Sequence, residues 1–230
     1  EDDTVLMNEL TMYDFESGVW FPVYTTGEAP CPRSGHSATA VGENQLVVFG
    51  GMNEEGKFLN DVHVLDTTLF SWQRVKTKGS PMKARGYHTA VRVGAKIVFF
   101  GGVGGKCNWA LKEIYSLDTS TWKWTEHSRM VQGEPPSKRV GQVATLLADG
   151  HSIILHGGHD PDDSSRCFDD SFILDTSTWR WNAVDHGHVR PEARAGHCGV
   201  TIDSRFATFF GQLESGKTAR DFFVLENPTC

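Results

Sequence analysis

The chain has 230 residues, of which 39% are apolar and 22% charged, and its formal net charge is -7. This acidic balance argues against a general nucleic-acid binder, because no excess of cations would neutralise phosphates. No stretch approaches the roughly 18 apolar residues of a membrane span, and no signal-peptide pattern opens the chain.

The five cysteines are widely spaced and form no C-x-x-C pair. Free thiols in a reducing compartment are therefore expected, either the cytoplasm or the nucleus.

The first predicted elements are two short strands in "ELTMYDFESGVW", residues 9–20. An acid begins the first strand, a second acid ends it at Asp14, and Trp20 marks the next strand. The same three features return 52 residues later as Asp61, Asp66 and Trp72, so this opening belongs to a repeated unit.

The first full unit begins at Arg33 and predicts four strands, named a to d here. They are "GHSATAV", "QLVVFG", "DVHVLD" and a segment around "SWQRV". Each run is short, rich in β-branched and aromatic residues, and bounded by turn residues. No window keeps a 3.6-residue apolar period, so helix is expected to be essentially absent.

Three further units follow, and their arginines are spaced 52, 54 and 55 residues apart. Each second strand closes on glycine, and the fourth unit is aligned with Gly211-Gln212 in place of the glycine pair. The third strands recur as "EIYSLD", "DSFILD" and "DFFVLE". The arginines are Arg33, Arg85, Arg139 and Arg194, and the tryptophans after the third strands are Trp72, Trp124 and Trp181.

Several third strands are apolar on both sides, which is typical of a sheet packed between two others. Four-stranded sheets packed face to face around an axis form a β-propeller. In that arrangement the tryptophans would fill space between blades. The carboxylates that end the third strands would accept backbone hydrogen bonds in the following turn.

The combination of arginine-x-glycine-histidine, a glycine pair, two acids five residues apart and a tryptophan resembles the kelch repeat. The resemblance covers essentially the whole chain and implies an all-β kelch propeller of four-stranded antiparallel blades. It implies one domain over residues 1–230 with about four and a half repeats. Departures are Gln142 where other units have histidine, His156 where they have an aromatic residue, and Gln212. The predicted repeats are 1–20 (partial), 21–72, 73–124, 125–181 and 182–230.

The predicted strands begin at the third strand of one unit and stop near the third or fourth strand of another. A closed ring normally leaves no sheet edge open. We therefore expect part of a larger propeller with six or more blades.

Three classes of function remain open, because the propeller fold does not decide among them. The first is a non-catalytic protein-interaction module, such as a substrate-recognition or scaffold subunit, which is the commonest role among kelch proteins. The second is a metal-dependent enzyme built on a propeller, and the third is a structural segment of a larger protein. "HGGHDPDD" (156–163) offers His156 and His159 beside carboxylates, but a solvated acidic loop is the simpler interpretation. No catalytic residues, metal ligands or cofactor are assigned.

The interaction hypothesis places a partner at the face formed by the d–a linkers and the b–c loops. Basic residues in the linkers predict an acidic or phosphorylated partner segment. Kelch adaptors of ubiquitin ligases are similar, since arginines and serines at the start of strand a hold acidic peptides there. The alternative, weighed equally, is that the arginines brace neighbouring loops. Trp109 lies off the repeat pattern and is a candidate aromatic anchor. The predicted partner-binding residues are Arg33, Ser34, Arg85, Trp109, Arg139 and Arg194.

Overall fold

A computed structural model describes residues 5–105, 109–110, 113–187, 190–226 and 228, without the side chains of residues 109, 110 and 164. Every regular element in these ranges is a β-strand, which confirms the all-β prediction. The strands are β1 (Leu10–Asp14), β2 (Val19–Val23), β3 (Thr26–Gly27), β4 (Arg33–Ser34), β5 (Ser37–Val41), β6 (Gln45–Phe49), β7 (Met52–Asn53), β8 (Val62–Asp66), β9 (Ser71–Arg74), β10 (Thr89–Val93), β11 (Lys96–Phe100), β12 (Val103–Gly104), β13 (Trp109–Ala110), β14 (Ile114–Asp118), β15 (Lys123–Glu126), β16 (Val143–Leu146), β17 (Ser152–His156), β18 (His159–Asp160), β19 (Asp163–Cys167), β20 (Ser171–Asp175), β21 (Arg180–Ala183), β22 (Arg194–Ala195), β23 (Cys198–Ile202), β24 (Arg205–Phe209), β25 (Gln212–Leu213) and β26 (Phe222–Glu226).

The longer strands form four antiparallel blades arranged as a β-propeller, as the repeats predict. Strands a to d are β5, β6, β8 and β9 in blade I, β10, β11, β14 and β15 in blade II, and β16, β17, β20 and β21 in blade III. The described part of blade IV has β23, β24 and β26 as strands a to c. The fourth strands of blades I to III extend two residues past each tryptophan, so the predicted repeat boundaries cut through them.

Aromatic side chains hold neighbouring blades together. The ring of Trp124 in blade II lies 5.2 Å from that of Phe49 in blade I, and the ring of Trp181 in blade III lies 5.2 Å from that of Phe100 in blade II. Both tryptophans are buried. The predicted position of these tryptophans between the blades is therefore confirmed.

The N-terminal strands β1 and β2 form a two-stranded sheet of their own. Leu10 packs against Val48, Leu65 and Trp72 of blade I. Trp20 is 66% exposed, although it has the same sequence spacing as the buried tryptophans. The predicted ring of six or more blades stays a prediction.

The linkers between blades pair with the outer strands. Thr26 and Gly27, which precede blade I, pair in parallel with Ser71 and Trp72 on its fourth strand. Parallel bridges at Lys78–Lys123 and Gln132–Arg180 repeat this arrangement in blades II and III. Each linker thus covers an edge that would otherwise expose unpaired backbone groups.

The fourth unit is shifted by one residue from its sequence alignment. Gly50 and Gly51, the pair of blade I, have φ values of +66° and +95°. In blade IV the matching values are +63° at Phe210 and +93° at Gly211. Phe210 also takes the backbone bond of the first glycine, since its N–H donates to Asp221 as that of Gly50 donates to Asp61.

The prediction that Gln212 replaces the second glycine is therefore wrong, because Phe210 replaces the first. A left-handed backbone at a residue with a side chain costs about 1–2 kcal/mol. Phe210 therefore strains the backbone of blade IV at a position where blade I has Gly50. Phe210 is 56% exposed.

Candidate partner-binding face

One end of the propeller, called the loop face here, is formed by the d–a linkers and the b–c loops. The segment before each first strand pairs with the b–c loop of its own blade. This pairing is β4 with β7 in blade I and β22 with β25 in blade IV, and single bridges at Gly86–Val103 and Val140–His159 in blades II and III. The four arginine-bearing segments are thereby fixed beside the four b–c loops.

The four repeated arginines are buried under this face, with exposures of 6% for Arg33, 0% for Arg85, 1% for Arg139 and 0% for Arg194. Each guanidinium donates to the carbonyl that ends the second strand of its own blade. The acceptors are Gly50 for Arg33 at 2.9 Å and Gly101 for Arg85 at 2.8 Å. Arg139 and Arg194 repeat the bond to Gly157 at 3.1 Å and to Phe210 at 3.2 Å.

Each arginine also faces the acid that precedes the third strand of its blade. Arg33 donates to the Asp61 carboxylate through its two terminal nitrogens, Nη1 at 2.7 Å and Nη2 at 3.0 Å. Arg139 and Arg194 bind Asp170 and Asp221 in the same forked way. Arg85 departs from this pattern, because its Nη2 lies 3.6 Å from Glu113 Oε2 and has no hydrogen-bond partner among the described residues.

These contacts account for the electrostatics of the pairs. Burial opposes ionisation of Asp61, but hydrogen bonds from His63 and Arg33 hold the pKa of this carboxyl well below its usual range. The hydrogen bond from Arg194 lowers the pKa of Asp221. Burial lowers the pKa of Arg85, although Glu113 opposes that effect. Each of the three forked arginines is therefore ion-paired with a carboxylate of its own blade.

The positions of the four arginines agree with bracing, the alternative weighed in the sequence, and not with an exposed basic ring. Their charges are offset by carboxylates within the same blade, so these four arginines give no support for an acidic or phosphorylated partner. Because Lys83, Lys138 and Arg190 of the linkers are exposed, such a partner stays a prediction. Sequence reasoning noted the first acid of each third strand but did not pair it with the arginine. It recurs in every unit, at 28, 31 and 27 residues after Arg33, Arg139 and Arg194.

The other two predicted binding residues are Ser34 and Trp109, and the structure describes the side chain of Ser34 only. Ser34 is half-buried and lies beside Met52 in the β4–β7 pair. Trp109 is described only by its backbone, which pairs with Gly104, and its side chain lies outside the described residues. Partner binding by Ser34 and Trp109 stays a prediction.

Tyr87 is an aromatic residue of the loop face that sequence reasoning did not single out. It is 43% exposed and has a left-handed backbone with φ of +57°. The corresponding residues of the other units are Gly35, Gly141 and Gly196, with φ between +61° and +65°. The sequence signal was the order Arg-Gly-Tyr in the second unit where the others read arginine-x-glycine.

Two adjoining depressions open on this face, the first beside Tyr87 and the second at the b–c loop of blade IV. The first, of about 460 Å³, is lined by Tyr87, Gly141, His159, Gly196 and Gln212 among others. The second, of about 400 Å³, shares His159 and Gln212 and extends to Glu214. Among the described residues that line the two depressions, Glu214 is the single carboxylate, and no lysine or arginine is present. Burial lowers the pKa of His159, so its imidazole is neutral near pH 7.

The described side chains of the histidine-rich segment 156–163 have other partners. His156 is buried and its Nδ1 lies 2.9 Å from the Ser171 hydroxyl, whereas Asp160 and Asp163 accept backbone bonds in an exposed turn. Within the described ranges, no group of three His, Cys, Asp or Glu side chains could hold a metal ion. The same ranges contain no helix able to span a membrane.

Comparison with known proteins agrees with this architecture. The sequence model of the KLHDC2/KLHL20/DRC7 Kelch-repeats domain matches residues 1–211. The chain is 32% identical to acyl-CoA-binding domain-containing protein 4 of Arabidopsis thaliana, over 91% of the chain and 32% of that protein. It is 31% identical to host cell factor of Drosophila melanogaster, over 89% of the chain and 16% of that protein.

A further relative is Kelch domain-containing protein 3 of Homo sapiens, which is 26% identical over 93% of the chain and 59% of that protein. The chain thus spans less than two thirds of the length of each of these relatives. The family match covers most of the repeats whose blades are described above. The chain belongs to the kelch-repeat β-propeller family.

Proposed function

We propose that the chain is a non-catalytic protein-interaction module that binds a segment of a partner protein across the loop face. The observation that carries this proposal is the depression lined by Tyr87 together with the second depression that adjoins it, a concave surface of the kind that binds ligands. Kelch propellers typically serve as protein-interaction modules, and a substrate-recognition or scaffold subunit is the specific role proposed.

Tyr87 is the proposed anchor of this surface. Tyrosine is enriched among the residues that dominate binding energy, and strained backbones concentrate at functional sites. The three equivalent positions have glycine, so Tyr87 carries a conformational cost that glycine would remove. An uncharged segment suits the depressions better than an acidic one, because Glu214 would repel a carboxylate.

The three cysteines among the described residues, Cys31, Cys167 and Cys198, are free. Free thiols support the proposed location in the cytoplasm or nucleus, where thiols stay reduced.

Tyr87→Gly tests the proposal, because glycine already stands at the equivalent position in the other units. A photo-reactive residue at Gln212, which is exposed beside Tyr87, would first cross-link the partner in cells. Affinity for the purified partner should then fall about 5- to 30-fold in Tyr87→Gly, equivalent to about 1–2 kcal/mol. The melting temperature should not fall.

Leu69→Ala is the matched control, since Leu69 is 72% exposed in a c–d turn at the opposite end of the blade. It should bind the partner like the parent chain. Normal binding by Tyr87→Gly together with weak binding by Leu69→Ala would move the contact surface to the opposite end and refute the proposal.

A further inference from the structure

Blades I to IV meet at three junctions on the loop face, and backbone hydrogen bonds close two of these junctions. Between blades I and II, the N–H of Tyr87 donates to the Gly35 carbonyl at 2.7 Å. The N–H of Gly51 donates to the Arg85 carbonyl at 2.8 Å. The junction of blades III and IV repeats the two bonds, at 2.8 and 2.9 Å. Each closed junction is therefore tied at two points.

The junction of blades II and III lacks both bonds. Here the N–H of Gly141 would donate to the Tyr87 carbonyl, and the N–H of Gly102 to the Arg139 carbonyl. Within the part of the chain that the structure describes, none of these four groups has a hydrogen-bond partner. The blades also stand farther apart, since a methyl group on Gly101 would lie 3.4 Å from the Arg139 carbonyl oxygen, against 2.7 Å at the matching position of both closed junctions. We call this junction the open seam.

The open seam does not arise from a different local backbone. Tyr87 and Gly141 have φ values of +57° and +65°, and their counterparts Gly35 and Gly196 have +64° and +61°. The separation of the two blades is therefore what leaves the carbonyl of Tyr87 and the N–H of Gly141 unpaired. Both residues line the first depression, so this end of the open seam lies at the surface where the partner is proposed to bind.

A glutamine distinguishes the open seam from the closed junctions. His88 and His197 stand three residues after the repeated arginine at the closed junctions, and Gln142 has that position here. Gln142 is 7% exposed, and its side chain lies against Gly101 of blade II. Neither its Nε2 nor its Oε1 has a hydrogen-bond partner among the residues with described side chains. Buried polar atoms are costly to leave unpaired, so the open seam is a favourable place for a polar ligand group.

The group that completes the open seam must both accept and donate a hydrogen bond. Gly141 offers an N–H, and Tyr87 offers a carbonyl oxygen. A carboxylate has no proton to donate, and an ammonium or guanidinium group has no acceptor. A carboxamide has both on one planar group, as the peptide bonds of the closed junctions do. The open seam is only slightly wider than those junctions, which suits the end of a side chain better than a partner backbone.

We infer that the partner segment inserts the side-chain carboxamide of an asparagine or glutamine between Tyr87 and Gly141. Its oxygen accepts from the Gly141 N–H, and its amide group donates to the Tyr87 carbonyl. This inference rests on the proposed function and specifies the residue type that the loop face recognises. The lining of the two depressions agrees with an uncharged group, because it contains no lysine or arginine among the described residues.

Two blocked amino acids test the site without the partner. They are N-acetylglutamine methylamide and the matched N-acetylglutamate methylamide, added at millimolar concentration to the 230-residue chain. Backbone amide NMR should show a saturable shift of the Gly141 signal with the glutamine probe and none with the glutamate probe. The Gly51 signal, whose N–H is already bonded at a closed junction, should not move. Absence of the Gly141 shift, or equal shifts with the two probes, would overturn the inference.

The purified partner provides a second measurement. In the complex, the Gly141 amide proton should exchange with solvent more slowly than in the free chain. Replacing one asparagine or glutamine of the bound segment by the matching acid should weaken binding at least 10-fold, because the acid cannot donate to the Tyr87 carbonyl. A partner that loses affinity for Tyr87→Gly, but tolerates every such replacement, would overturn the inference and leave the proposed function intact. Normal binding by Tyr87→Gly would refute the proposed function, whereas the two probes alone decide the specificity of the open seam.

Discussion

Arg139→Ala separates bracing from partner contact most directly. The change removes the fork to Asp170, the bond to the Gly157 carbonyl and two bonds to Ser137. Breaking a buried ion pair costs about 3–5 kcal/mol. Because the Asp170 side chain is 36% exposed, water screens the charge left behind, and about 3 kcal/mol is expected.

At about 2–4 °C per kcal/mol for a chain of this size, the melting temperature should fall by roughly 6–12 °C. Thermal and urea unfolding followed by tryptophan fluorescence would measure the change. Lys138→Ala, at the exposed neighbouring residue, should stay within about 0.5 kcal/mol of the parent. If Arg139→Ala melted like the parent chain while losing a partner, the bracing argument would be refuted and the arginine would be a contact residue.

Three further changes test other parts of the structure by unfolding measurements. Trp124→Ala should lower the free energy of unfolding by about 3–5 kcal/mol, because it opens a cavity between blades. Trp20→Ala should lower it by less than about 1 kcal/mol, because Trp20 is 66% exposed. Equal losses in the two variants would contradict the packing of Trp124 between the blades. Phe210→Gly should stay within about 1 kcal/mol of the parent, since relief of left-handed strain offsets the lost ring contacts, and a loss above about 2 kcal/mol would disprove the strain. Burial lowers the pKa of His197 to about 4 from 6.5, so the unfolded state binds the proton first and stability is lost as pH falls from about 6.5 to 4. His197→Gln, the residue found at Gln142, should reduce that slope by up to about 1.4 kcal/mol per pH unit; an unchanged slope would exclude His197 as a source.

The blades could be predicted from the sequence because each unit contains its own strand pattern. Apolar runs, turn residues and the tryptophan recur together, so the same four-strand assignment is supported by several units. The burial of Trp124 and Trp181 followed from that repetition. Trp20 shares the spacing but not the burial, because burial also needs the neighbouring strands that pack against the ring.

The burial and ion pairing of the arginines could not be predicted from the repeats in the same way. A charged side chain is usually exposed unless it is paired, and its partner stands about 28 residues away in a different strand. Only the folded sheet brings Arg33 to Asp61. The glycine pair in the fourth unit was similarly ambiguous, since the sequence alone allowed Gly211 to be either member. The left-handed backbone of Phe210 decides the register.

The linkers that pair with fourth strands also determine where the chain can be divided. Thr26 precedes blade I in sequence and is clamped to Ser71 at the end of that blade. A module cut at the arginines would leave this clamp behind and expose the strand it covers. The interchangeable unit for grafting, duplication or circular permutation therefore begins near Thr26 and ends near Val75, and joints placed there keep each clamp with the strand to which it binds.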